Sequence, residues 1–281
     1  MAIRSFHRAA TPEEAVRLLR AGGARTFYVA GGTDLLSWHE PLDAVVSVRE
    51  ALRYLRREEA EFVVGASATV SMVEAWEELA RADGGLLRSC ARDFATWQIR
   101  NLATIGGNLA SAVPSADFAP PLLVLDARCV VQGTEDRREV PLSEFFAGAH
   151  ESVLGADLLV EIRFEEPAPR SGLAWEKIGR TDGDIAIVNA AARIDRDGKK
   201  CREARLALGA VAPTPFRARE AEEFLRGKEP DAKTIARAAE LAAAAARPID
   251  DQRASAAYRK AMGELLARRV LAAAAEGRGG R

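Results

Sequence analysis

Two segments of this chain each run from a short apolar stretch into a pair of adjacent glycines: Val29-Ala30-Gly31-Gly32-Thr33-Asp34-Leu35 and Ala103-Thr104-Ile105-Gly106-Gly107-Asn108-Leu109. They constrain the fold strongly, because a backbone without Cβ turns sharply and approaches a ligand or a neighbouring chain segment where any other residue would collide. Its N–H groups can converge on an anion, and the hydroxyl or amide that follows adds one more hydrogen bond. Either pair alone serves equally well as a plain strand end. Two of them, with no Lys or Arg inside either, suit a pyrophosphate held from both sides by neutral donors, as in a dinucleotide that stays bound as a cofactor.

Composition excludes several other partners. The 281 residues carry 40 Lys+Arg against 41 Asp+Glu, both signs interleaved, so there is no electrostatic footprint for nucleic acid or an anionic membrane. Apolar runs such as Leu122 to Leu125 fall far short of a membrane span, and the N-terminus has no apolar signal core. A soluble, cytoplasmic protein is expected. Cys90, Cys129 and Cys201 lie far apart without a C-x-x-C pair and read as buried small hydrophobes, and His7, His39 and His150 are equally scattered, so no metal site is expected. The phosphate loop of NTPases, the G-x-G-x-x-G of Rossmann dehydrogenases and the G-x-S-x-G of serine hydrolases are missing.

Around the glycine pairs, helix and strand signals alternate. Thr11 reads as an N-cap with Pro12 at the first helical position and Glu14 closing a capping box, and Gly22-Gly23 ends that helix. Phe27 to Ala30, Ala44 to Val48, Phe62 to Val64, Leu122 to Gln132 and Leu158 to Phe164 read as strands, and Ser71 with Glu74 opens a helix to Ala80. The polar, two-proline stretch Glu165 to Gly172 reads as a linker. After it come strands at Leu173 to Ile178, Ile185 to Ile194 and Ala204 to Val211, with a hairpin turn at Asp195 to Gly198. Alanine-rich helices are expected from Asp231 to Ala246 and from Ser255 to Ala275, and a frayed end at Gly277 to Arg281.

The string from Ile99 to Leu109 (I-R-N-L-A-T-I-G-G-N-L), the earlier glycine turn, and Pro114-Ser115-Ala116-Asp117 through Asp126-Ala127 together resemble the FAD-binding medium subunit of molybdenum hydroxylases. That family includes xanthine dehydrogenase and aerobic carbon monoxide dehydrogenase. Gly155 to Ile162, Lys177 to Arg180, Asp184-Ile185-Ala186 and Asp251 to Arg259 resemble its C-terminal module, so the resemblance runs nearly end to end. Its most specific part is I-R-N-x-A-T-I-G-G-N.

The resemblance implies an α+β fold: a two-subdomain FAD-binding fold of the vanillyl-alcohol oxidase and MurB type over residues 1–168 (subdomains about 1–56 and 57–168), then a three-stranded sheet with helices over 173–277. It implies FAD, bound non-covalently because no His or Cys stands where a covalent link could form. Tyr28, Val29, Ala30, Gly31, Gly32, Thr33 and Asp34, with Thr104, Ile105, Gly106, Gly107 and Asn108, would hold the pyrophosphate and adjoining ribose or ribityl oxygens. Phe94 would pack on the cofactor, Asp117 would bond its sugar region, and Leu159 and Lys177 would lie near the isoalloxazine ring, where a cation stabilises negative charge on the reduced ring. On their own, Leu159 and Phe94 read as core, Lys177 as a solvated charge and Asp117 as a cap.

Arg100 is kept off the flavin, as a brace for the loop or for a partner surface. The flavin itself is then the catalytic group, with no acid, base or nucleophile assigned. The implied partners are a large molybdopterin subunit, a small subunit with two [2Fe–2S] clusters, and a small-molecule or protein electron acceptor. Arg180-Thr181 stands where many relatives carry Arg-Arg, and Asp157 where they carry Glu, which leaves the flavin edge and its acceptor open. The dispersed cysteines leave no ligands for an extra cluster in this chain. The alternatives are a self-sufficient FAD reductase resembling MurB, which needs a substrate domain larger than this C-terminal half offers, and a flavin-free scaffold, against which both intact glycine pairs argue.

Overall fold

Thr11 opens the first helix as its sequence dictates: its hydroxyl accepts the N–H of Glu14 at 3.2 Å, while the Glu14 carboxylate reaches back to the N–H of Ala10 at 2.8 Å. The structure is a computed structural model and describes residues 2–37 and 40–277, so His39 and most of the expected frayed end lie outside the described residues. That first helix, α1 (Pro12–Ala21), links β1 (Ile3–Arg8) to β2 (Thr26–Val29). β3 (Leu42–Ser47) then pairs in parallel with both, in the order β1-β3-β2. The first glycine pair leaves the C-terminal end of β2.

A second sheet begins with the hairpin β4 (Leu55–Glu58) and β5 (Glu61–Gly65). The chain then departs through six short helices: α2 (Val70–Ala75), α3 (Glu77–Ala82), α4 (Leu86–Arg92), α5 (Trp97–Arg100), α6 (Ile105–Ala110) and α7 (Ala119–Val124). It returns as β6 (Arg128–Gln132) and β7 (Arg137–Pro141), a separate small ladder of β8 (Phe146–Gly148) and β9 (Glu151–Ser152), and finally β10 (Leu158–Glu165). The sheet order is β4-β5-β10-β6-β7, antiparallel throughout. Phe62, Val64, Cys129, Val131, Ile162 and Phe164 alternate into the core. Between Ile162 and the bulge on β10, the buried Glu161 accepts from Tyr54, Arg56, Arg137 and Arg163, which hold its carboxyl below the usual range against the cost of burial.

The third sheet consists of β11 (Gly172–Ile178), β12 (Val188–Asp197), β13 (Lys200–Gly209) and the two-residue β14 (Phe216–Arg217), followed by α8 (Arg219–Leu225), α9 (Ala232–Ala245) and α10 (Ala256–Ala275). Both of its faces are covered. Leu173, Trp175, Ala191 and Ala207 join the core of the first half, while Ala174, Ala190, Ala192, Leu206 and Leu208 pack in the second core with the three helices. Two-sided burial explains why the first half of β12 is small and apolar on both faces, with Asn189 as its one polar residue before Arg193.

Four expectations need correction. Leu122 to Gln132 is not one strand: Ala119–Val124 is helical, with Pro120 and Pro121 in a first turn that needs no N–H from them, and the strand starts only after Asp126, whose φ of +58° turns the chain. Thr69, not Ser71, caps the next helix by accepting from Met72 at 3.3 Å, and that helix breaks at Trp76. The C-terminal sheet has four strands, because β14 is too short to leave a periodic signal. The second glycine pair lies in a helix, as described below. The cysteines are buried as read: burial lifts the Cys129 thiol to about 12 and the Cys201 thiol to about 11, and Cys90 also rises, so all three stay protonated.

Candidate functional site

Immediately after β2, five consecutive N–H groups, from Ala30 to Asp34, have no acceptor among the described residues. Two carbonyls of the same stretch, and that of Val29 before it, are engaged: Val29 accepts from Val48, Gly32 from Leu36, and Asp34 from the amide and hydroxyl of Ser37. Gly32 sits in the left-handed region (φ +72°), the conformation that lets successive amides converge into a concave donor surface. Gly31 serves a different purpose. A Cβ there would lie closer than 3 Å to the backbone carbonyl of Leu102, so this glycine lets the two motifs touch.

The second pair is the first turn of α6. Thr104 caps it through Oγ1, which accepts the N–H of Gly107 at 3.1 Å. Ile105 donates to Ala68, Gly106 to Ala66 and Asn108 to Thr104, each at 3.0 Å. Every main-chain donor from Ile105 to Asn108 is therefore already bonded, which corrects the expectation of two amide cradles. What this motif still offers is the proton of the Thr104 hydroxyl and Nδ2 of Asn108, whose Oδ1 accepts the N–H of Phe118 at 3.1 Å. Gly106 is required for contact with Ala66, where a Cβ would overlap.

A third group forms where the C-terminal sheet meets the loop before α7. Asp117 is 5% exposed; its Oδ2 accepts from Lys177 at 3.0 Å and its Oδ1 from Asn189 at 3.0 Å. Lys177 also donates to the carbonyl of Asp93, and Trp175 Nε1 donates to the Asp93 carboxylate at 3.0 Å. Burial raises the Asp117 carboxyl, and Lys177 and Asn189 oppose that rise. Phe94 lies beside this group, half-buried, with its ring 5.8 Å from that of Phe118. Arg100 braces the Phe94 turn from behind through the carbonyls of Arg92, Phe94 and Ala95 and pairs with Glu74 at 3.3 Å, so it is a loop brace.

Two family profiles match the chain: "FAD binding domain in molybdopterin dehydrogenase" over residues 2–164 and "CO dehydrogenase flavoprotein C-terminal domain" over 174–274. The chain belongs to the FAD-binding medium subunits of the molybdenum hydroxylases. It is 33% identical over 277 residues to the carbon monoxide dehydrogenase medium chain of Hydrogenophaga pseudoflava, covering 96% of each chain. It is 30% identical to a putative xanthine dehydrogenase FAD-binding subunit of Escherichia coli (strain K12), covering 99% of this chain and 98% of that one. Among solved structures, carbon monoxide dehydrogenase from Hydrogenophaga pseudoflava superposes with a TM-score of 0.93 at 32% identity, and quinoline 2-oxidoreductase from Pseudomonas putida 86 with 0.90 at 28%, each over 97% or more of both chains.

This medium subunit is thus an oxidoreductase subunit whose cofactor is FAD, and its residues fit a dinucleotide: five amides after β2 with no acceptor among the described residues stand beside a capped helix start. Leu159 is 3% exposed in β10, next to the bulge where Val160 accepts from Ala66, and so belongs to the apolar wall behind α6. The Tyr28 hydroxyl donates to the carbonyl of Ala156 at 3.1 Å, so the side chain ties β2 to the loop before β10. Asp157 pairs with Arg20 at 2.8 Å and Arg138 at 2.7 Å, and Arg180 donates to the carbonyl of Gln252 at 2.6 Å. Sequence reasoning missed Asn189, Trp175 and Asp93. For Asn189 a signal existed: an amide standing in a run of Val and Ala that is otherwise free of polar groups until Arg193.

Proposed function

We propose that this chain is the electron-carrying flavoprotein of a three-subunit molybdenum hydroxylase, in which a small partner with [2Fe–2S] clusters delivers electrons and a large partner carries the molybdenum–pterin centre where substrate is oxidised. A soluble or membrane acceptor then removes the electrons. The observation that carries this reading is the run of five amides from Ala30 to Asp34 with no acceptor among the described residues, held against the α6 motif by Gly31. In this reading residues 1–168 hold FAD without a covalent link, residues 173–277 close the site, and the complex is cytoplasmic. Among the described residues no helix is long and apolar enough to cross a membrane.

FAD supplies a ring system that accepts and releases electrons, chemistry no side chain of this chain offers. The protein's own part is binding and tuning. The amides of Ala30 to Asp34 neutralise the diphosphate without a cation, and Thr104 Oγ1 and Asn108 Nδ2 add donors to adjoining oxygens. Gly107 keeps a side chain out of that approach, while Gly106 and Ile105 seat the start of α6 against Ala66 and Ala68 and Val29 ends β2 beneath the first glycine turn. Phe94 gives the cofactor apolar surface and Leu159 backs it from the wall behind α6, while Asp117 and Lys177 set a paired charge at the boundary with the C-terminal sheet.

The purified chain should show flavin absorption bands at about 370 and 450 nm that acid precipitation releases into the supernatant. If it is isolated without colour, titrated FAD should restore them. A colourless chain that refuses FAD would remove the cofactor role. A complex purified through a tag on this chain should contain iron and molybdenum; a chain that purifies alone from cells expressing its partners would remove the three-subunit assignment.

A further inference from the structure

We infer that Asn189 is a positioning residue for the flavin site: it fixes the Asp117 carboxylate from the side opposite Lys177. This rests on the reading of that corner as part of the FAD site. Asn189 is fully buried on β12, and its Nδ2 donates to Asp117 Oδ1 at 3.0 Å. Strand register places Lys177, Asn189 and Gly209 in one transverse row, each the direct partner of the next on β11, β12 and β13. Three strands thus contribute one residue each.

Packing does not account for an amide at this position. Its Oδ1 is buried without a hydrogen-bond partner, a cost that a Leu or Val in the same run of Val and Ala would not carry. Nor can the amide turn over, because Oδ1 would then face the carboxylate. Gly209 makes room for it: a Cβ there would overlap Asn189 Oδ1. The next residue, Ala210, adopts φ +61° and donates to the carbonyl of Pro114 at 2.7 Å, anchoring the loop that carries Asp117. Backbone strain of this kind persists only where the surroundings over-determine it. With one donor on each oxygen, the carboxylate cannot rotate, and the site receives a fixed ion pair instead of a mobile one.

The groups facing Asp117 are Lys177 from β11, Asn189 from β12, Asp93 just beyond α4, and the thiol of Cys90 on α4, which donates to the Asp117 carbonyl at 3.3 Å. Removing the Asn189 donor leaves Lys177 alone to hold the negative charge in a buried place, so the carboxyl takes up a proton at higher pH.

The test uses the full chain and the variants Asn189→Leu and Gly209→Ala, the second of which keeps the amide but displaces it. FAD affinity is measured by flavin fluorescence from pH 5.5 to 8.5, the flavin midpoint potential by dye equilibration, and folding by far-UV circular dichroism. Asn189→Leu should fold, bind FAD at least about tenfold more weakly at neutral pH, show an affinity profile shifted to higher pH, and move the midpoint potential. Gly209→Ala should move the same quantities in the same direction. Wild-type affinity, pH profile and potential in Asn189→Leu overturn the inference; if that variant does not fold, the same result in Gly209→Ala overturns it. A wild-type chain that takes no FAD overturns the flavin reading itself, which distinguishes the two failures.

Discussion

Gly31 and Gly107 look alike in the sequence, yet the structure gives them different work. Gly31 sits where any Cβ would overlap the Leu102 carbonyl, so Gly31→Ala must push the two motifs apart. The expected result is a stability loss of about 1–3 kcal/mol in urea titration, typical of overpacking, and at least about tenfold weaker FAD binding. Gly107 is exposed, and an added Cβ there meets only Thr104 Oγ1. Gly107→Val therefore leaves the core intact but crowds the one hydroxyl that this motif retains for a ligand. Far-UV circular dichroism should stay near native while FAD is lost; equal FAD content in variant and parent would take Thr104 out of the site.

At the scale of elements, clear caps are legible, competing local signals such as Ser71 against Thr69 mislead, and distant pairings are hidden. Thr11 caps α1 as its sequence indicates, and α9 and α10 begin at the expected Asp231 and Ser255, each of which caps its helix, because a cap bonds an amide only three residues away. The amides of Ile105 and Gly106 bond Ala68 and Ala66, whose distance along the chain hides the pairing, so from sequence alone this helix start resembles a second cradle. Asp83 shows a further consequence of placement. It is fully buried and accepts from Gly85 at 2.9 Å and Leu87 at 3.0 Å at the start of α4, yet burial dominates and raises its carboxyl from 3.8 to about 6. The folded state thus holds this proton more tightly than the unfolded chain does. Its contribution to stability is complete below pH 4 and disappears as pH rises through 6, a loss on the order of 3 kcal/mol. Glu161 and Asp195, both lowered, act with the opposite sign, so the check is a difference. Urea midpoints at pH 4.5 and 7.5 should fall more, or rise less, with pH in the parent than in Asp83→Asn.

Across the whole molecule, the two halves are joined through the site itself. Trp175 to Asp93, Lys177 and Asn189 to Asp117, and Ala210 to Pro114 all cross from the C-terminal sheet to the helical insertion of the second sheet. Behind them, Arg259, 4% exposed, donates to the carbonyls of Ile187 and Ala210 and pairs with Asp251, fixing the strand ends that carry Asn189 and Gly209. With the proposed site at this junction, cofactor binding should be coupled to docking of the C-terminal sheet. Lys177 tests this coupling, since its side chain is 5% exposed and its removal leaves Asp117 buried and unpaired. Breaking such a pair costs about 3–5 kcal/mol, less whatever Asp117 recovers by taking up a proton. Lys177→Ala should accordingly lower the urea midpoint while retaining FAD at saturating concentration, and, in the proposed site, should shift the flavin midpoint potential because it removes a cation placed near the ring. In the double variant Lys177→Ala with Asp117→Asn, much of the stability should return while the potential stays displaced. Recovery of both together would mean that Lys177 acts only as a bridge between the halves, and an unchanged potential in the single variant would remove it from the flavin's surroundings altogether.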